Sequence, residues 1–170
     1  IVFHADIVGA PFVVIKTEGK PPTEQTIKES AQFAASYSRA WREIIGTVNV
    51  YWVYPQQVSK SAPPGQSLKK GSFMIHGRKN YVRNVPLRVA IGVRMEEERP
   101  FIIGGPIDAI AKQTNIYVLM IPGKQKSGEL AKQIRQLLVK KAPKGIEKQI
   151  LEISLDEVQQ FIPLGKGQIT

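Results

Sequence analysis

The chain has 170 residues, 42% of them hydrophobic and 22% charged, an ordinary globular composition that excludes general disorder. Lys and Arg number 24 against 14 Asp and Glu, a formal charge of +10, and a domain this basic points to a polyanionic partner. The lack of Cys excludes disulfide scaffolds, thiolate metal sites and thiol nucleophiles, and two His are too few for a His-rich metal site. No apolar run approaches the roughly 18 residues of a membrane helix. A chain opening on Ile1 without a leader pattern is expected to be part of a larger polypeptide.

The expected elements alternate between strand and helix. Residues 1–6 and 12–16 read as strands joined by a turn containing Gly9 and Pro11. Thr23 is the expected N-cap of a helix running to Ile45, with Ile27, Ala31, Ala34, Trp41 and Ile45 as its buried stripe and Gly46 as its end. Residues 48–54, rich in β-branched and aromatic side chains, read as a strand. Residues 59–70 contain Pro63-Pro64-Gly65 and read as a loop. A short strand over 71–76, a basic turn over 77–80 and a strand over 81–85 follow.

Residues 87–95 and 100–103 suggest a hairpin across Glu96-Glu97-Glu98. Gly104-Gly105-Pro106 is expected to open a helix with Pro at its first position. Residues 116–121 are uniformly apolar and bounded by Asn115 and Pro122, as in a strand buried on both faces. Ser127 is the expected cap of a helix with Leu130, Ile134, Leu137 and Leu138 on its apolar face. Residues 150–153 read as a last strand, Ser154 with Glu157 as a capping box, and Gly165-Lys166-Gly167 as a flexible terminus. This order implies an α/β or α+β fold, a mixed sheet with helices packed on it. A division into two small lobes, 1–86 and 87–170, would fall near residues 84–86.

The charge is uneven. Residues 1–94 hold 13 Lys/Arg against 5 Asp/Glu, a net of +8; residues 95–170 hold 11 against 9, a net of +2. The 52 residues from 44 to 95 contain no carboxylate and eight cations: Lys60, Lys69, Lys70, Arg78, Lys79, Arg83, Arg88 and Arg94. Both Trp, four of five Tyr and four of six Phe also lie in residues 1–94. Cations interleaved with aromatics supply phosphate contacts and base stacking, although core packing uses aromatics equally well. The expected contact surface is the 59–70 loop and the 77–83 turn, with Lys60, Lys69, Lys70, Arg78, Lys79, Arg83 and His76 as candidate nucleic-acid contacts. Trp52 and Tyr54 share a strand face with Val48 and Val50, more often a core face than a stacking one.

Sites for catalysis are few. His4 and Asp6 fall on one side of a strand, where a structural His–Asp hydrogen bond is the expectation and a general base the alternative. No phosphate-loop spacing is present. A membrane- or matrix-binding adhesion module would also be basic, but the one basic helix, 128–141, has no Trp or Phe on its apolar face. A metal-dependent nuclease would need clustered carboxylates, and the carboxylate-free interval argues against it. The reading is therefore a non-enzymatic, cofactor-free module.

Three ordered blocks point to a family: "HADIVGAPFVVIK" (4–16), "WVYPQQVSKSAPPG" (52–65) and "GSFMIHGRKNYV" (71–82), with "FAASYSRAW" (33–41) between them. Together they resemble the NFACT-R domain, the RNA-binding-type module of the NEMF/RqcH proteins, whose bacterial members were once called fibronectin-binding protein A. The resemblance spans roughly residues 1–94, and residues 95–170 resemble the C-terminal extension of archaeal members. It implies a cytoplasmic role in ribosome-associated quality control: binding of the large ribosomal subunit still holding peptidyl-tRNA, contact with ribosomal RNA or tRNA, and support for C-terminal tailing of the stalled chain. The tRNA-reading motif of the family belongs to another domain, so its residues have no counterpart in this sequence.

Overall fold

A computed structural model describes residues 1–170. The first half builds a four-stranded sheet from β1 (Val2–Ala5), β2 (Val13–Val14), β3 (Thr47–Val53) and β6 (Asn80–Pro86), in the order β2-β1-β3-β6. Phe3 stands opposite Trp52, His4 opposite Tyr51 and Ala5 opposite Val50; Tyr51 in turn stands opposite Tyr81. With side chains alternating between faces, this register places Phe3, Ala5 and Val50 on one face and His4, Tyr51 and Tyr81 on the other.

Helix α1 (Glu24–Ser36) covers the first of these faces, and Thr23 caps it by accepting from the Thr26 amide. Its buried residues are Ala31, Ala34, Ala35 and Ser36, small enough for close approach to the sheet. The expected helix to Ile45 is broken. The Ser38 hydroxyl donates to Ala35 O at 2.7 Å and accepts from the Ala40 amide, so it replaces the helix's own hydrogen bonds. A new turn, α2 (Arg39–Arg42), restarts from Ser38 and delivers Trp41 into the core.

The second sheet contains β7 (Val89–Glu96), β8 (Arg99–Gly105), β9 (Tyr117–Lys126) and β10 (Lys166–Ile169), in the order β10-β9-β7-β8. Every strand pairing in both sheets is antiparallel, so the α+β form of the expectation is the one realised, without the mixed sheet. The β7–β8 hairpin forms as expected, turning on Glu97 and Glu98, both at positive φ. Gly104 and Gly105 end β8 rather than opening a helix, and Pro106 sits at the N-cap position of α3 (Ile107–Ala111).

Further expectations in this half are corrected. Strand β9 does not stop at Pro122. The β9–β10 register shifts between Gly167 and Gln168, leaving Pro122 inside a bulge where no ladder amide is required. The Gly165-Lys166-Gly167 segment is not a flexible terminus; Lys166 and Gly167 begin β10, where a Cβ on Gly167 would stand 2.7 Å from Met120 Cε. Residues 150–153 are helical or turn-like, not a strand. Ile150 and Ile153 are buried while Leu151 and Glu152 are exposed, the spacing of the helix α5 (Glu147–Leu151) and its end.

Helix α4 (Ser127–Lys141) buries Leu130, Ala131, Ile134 and Leu138, close to the expected face. Lys126, not Ser127, occupies its N-cap position, and no side chain caps it. In α6 (Leu155–Gln159), Ser154 accepts from the Glu157 amide as expected. A cluster of 24 buried residues runs from Phe3, Trp41 and Val50 through Leu87 to Ile91, Met120, Ile134 and Ile150. Three polar ties cross the same ground. Ser36 Oγ donates to Arg88 O, Tyr37 OH donates to Phe161 O at 2.6 Å, and Trp41 Nε1 donates to Lys166 O at 2.6 Å.

Candidate nucleic-acid interface

The sheet face turned away from α1 is not bare. Val53 is fully buried there yet lies outside the 24-residue cluster. After β3 the chain makes a 3-10 turn (Pro55–Gln57), then β4 (Val58–Ser59), a long loop, and β5 (Met74–Ile75), which pairs with β4. Gln57 fastens the return: its amide group donates to His76 O and Arg78 O, both at 2.8 Å. Ser59 Oγ and His76 Nε2 lie 3.0 Å apart, so His76 closes the base of the loop. The loop expected at 59–70 and the turn expected at 77–80 are thus one substructure, and Gly77 adopts the left-handed φ of +76° that the turn requires. Asn80 does not; it joins β6 and donates to Trp52 O.

A row of rings crosses this face. Phe73 meets Phe12 edge-on at 5.0 Å between centroids, Phe12 meets His4 at 5.0 Å, His4 meets Tyr51 at 5.8 Å, and Tyr51 meets Tyr81 at 6.0 Å. Cations lie over three of the rings. Lys79 Nζ is 4.4 Å from the Tyr51 centroid, the Arg83 guanidinium 4.7 Å from Tyr81, and Lys60 Nζ 5.9 Å from Phe73. Such contacts hold a cationic head in place without neutralising it.

The expected His4–Asp6 hydrogen bond does not form. The imidazole Nε2 donates instead to Ala10 O at 3.1 Å. Strand β1 ends at Ala5, so Asp6 leaves the pleat that would have aligned the pair. The other ring nitrogen, Nδ1, is buried without a partner. Burial pushes the His4 pKa below 6.5, and Lys79 pushes the same way. Burial also raises the Tyr51 hydroxyl above its usual 10, with Asp6 and Tyr81 adding to it.

Of the eight cations in the carboxylate-free stretch, only Arg94 has an anionic partner, Glu96. Lys60, Lys69, Lys70, Arg78, Lys79, Arg83 and Arg88 have no carboxylate within 4.0 Å, since the other two ion pairs are Arg39–Glu43 and Lys112–Glu29. Beyond β6 the basic surface continues into a groove of about 380 Å³ shared by α1 and α3, where Lys28, Arg83 and Arg88 face Glu29 and Asp108. Both carboxylates are engaged by Gln25, and Glu29 also by Lys112. Lys28 and the ring row escape a linear reading, because the first needs the helix–sheet docking and the second the strand register. Trp52 packs against the core, and its ring meets the exposed Tyr54 edge-on at 5.6 Å, away from the basic face. No three His, Asp or Glu side chains converge as metal ligands, and no helix is long and apolar enough to cross a membrane.

Comparison with known proteins bears on the same residues. Residues 1–77 match the family model of the NFACT protein RNA binding domain. The archaeal Rqc2 homolog aRqcH of Methanocaldococcus jannaschii is 42% identical over 137 residues, covering 81% of this chain and 20% of that relative. A match of that length must reach into the second half. The ribosome quality control complex subunit NEMF homolog of Drosophila melanogaster is 41% identical over 103 residues, covering 60% of this chain and 10% of that relative. Human ribosome quality control complex subunit NEMF is 46% identical over 83 residues, covering 48% and 8%. The chain therefore spans a fifth or less of the length of these curated relatives. No solved structure matches it.

Proposed function

Since this chain belongs to the NEMF/RqcH family of ribosome quality control factors through an NFACT-R domain in residues 1–77, we propose that it is the RNA-contacting module of such a factor. In the whole protein it would hold ribosomal RNA or tRNA on a large subunit that still carries peptidyl-tRNA, in the cytosol. It would thereby support C-terminal tailing of the stalled chain without performing a reaction itself. One observation carries the reading: seven cations have no carboxylate partner, and three of them are seated on the aromatic rings of the sheet face that the core leaves free. Cations arranged so need only phosphate to complete them.

Binding is then electrostatic and weakly dependent on sequence. If about five to seven of the cations touch phosphates, log Kd changes with log salt by a slope of magnitude about 3.5 to 5, near 0.7 per contact for single strands. Replacing Arg78, Lys79 and Arg83 together by Gln should weaken binding and reduce that slope by about two units. Stability should change by no more than about 0.5 kcal/mol per site. The measurement is thermal melting paired with a salt titration against a ribosomal RNA fragment and a tRNA. Affinity indifferent to salt would end the proposal. So would a triple variant that melts early yet binds normally per folded molecule.

A further inference from the structure

Resting on the RNA-binding reading above, we infer that the ligand is RNA with unpaired bases, which stack at the two open ends of the ring row, Tyr81 and Phe73. A surface made only to neutralise a duplex needs phosphate contacts and no rings, because paired bases hide their faces inside the helix. This surface has rings directly under its cations. The middle of the row is structural: Tyr51 is only 5% exposed and is held between His4, Tyr81 and the Lys79 ammonium. The ends are open. Tyr81 is 40% exposed and Phe73 is 38% exposed, although both are large and apolar.

Each end pairs an exposed ring with a cation that has no carboxylate partner, Arg83 at Tyr81 and Lys60 at Phe73. One nucleotide presents both a π face and a phosphate, and each of these pairs meets both. The Arg83 guanidinium is itself planar and lies against the Tyr81 ring, so it extends the platform a base can stack on. Tyr81 also belongs to the outermost strand of its sheet, where no further strand covers it. A strand of RNA therefore has a lateral approach to it.

The test uses the 170-residue chain, an unpaired RNA of about 12 nucleotides, and the same RNA annealed to its complement, at one salt concentration. Unpaired RNA should bind more tightly than the duplex. Tyr81→Leu and Phe73→Leu keep apolar bulk and remove the ring; each should weaken binding of the unpaired strand by about five- to a hundredfold and weaken duplex binding less. Tyr81→Phe keeps the ring and should bind like the parent chain. 2-Aminopurine in the unpaired strand should be quenched by the parent chain and less so by the Leu variants. Duplex bound as tightly as the single strand, or Leu variants that melt and bind like the parent, would overturn this inference while leaving RNA binding intact. Failure of the parent chain to bind either RNA would overturn both readings.

Discussion

The two sheets differ in how they use their faces. In the second, β7 is buried from Val89 to Val93 on both sides, and a Cβ on Gly92 would come within 2.6 Å of Ile116 O. Residues 95–170 carry a net charge of only +2, and Arg94 on β7 is neutralised by Glu96. In the first sheet only one face enters the main core. The other carries rings, cations and a folded-back loop, with almost no acid nearby. A strand buried on both sides has no surface to offer a ligand, whereas a one-sided sheet keeps a rigid platform free. On the proposed reading, the second sheet gives support and the first makes contact.

The strongest challenge to that assignment is Trp41→Ala. The indole is fully buried and its N–H donates to Lys166 O, so the variant loses packing and a hydrogen bond between the halves. A loss of about 3–5 kcal/mol is expected in denaturant unfolding, with RNA affinity per folded molecule little changed. A folded variant that had lost binding would move Trp41 to the contact side.

Next in size is Gly92→Ala. The added methyl meets backbone at Ile116 O, which cannot rotate away, and a cost of about 1–3 kcal/mol follows. Chemical denaturation should show it, while salt titration of RNA binding should keep the parent slope. A changed slope would mean that the second sheet also reaches the ligand.

The smallest effect lies on the contact face itself and depends on pH. Folding depresses the His4 pKa below 6.5, so the unfolded chain takes up the proton more readily. This group's contribution to stability is complete above about pH 6.5 and declines as pH falls below it, levelling off under the folded-state pKa. His4→Gln should flatten that part of the melting-temperature profile between pH 7 and 5 relative to the parent. An unchanged profile would show that His4 is not held neutral by its place in the ring row.

Much of this was legible in sequence because it is local. Strands β1, β3 and β6, the Thr23 cap, the Gly77 turn and the Glu97-Glu98 hairpin rest on neighbouring residues. The carboxylate-free interval needs only counting. What escaped is non-local. Ser38 reads as an acceptable helix residue until its hydroxyl is seen bridging Ala35 and Ala40. Gly167 reads as a loose end until Trp41 and Met120 are found against it. His4, Phe12, Tyr51, Phe73 and Tyr81 lie up to 77 positions apart, and only the pairing register and the returning loop make them one row. His4 and Asp6 show the converse: a local pattern was read as a pair, and the strand ended one residue too soon.

The hydrogen bond from Trp41 to Lys166 spans 125 positions. A ribosome making this chain has long finished the first sheet when it reaches that carbonyl. Until residues 166–169 have emerged, the indole N–H has no acceptor there and the outer edge of β9 has no partner strand. The centre of the molecule is therefore sealed by residues made well after the first sheet. Vectorial synthesis leaves the completed basic face resting on an unclosed core, and closing so long a loop is among the slower steps available to a domain of this size.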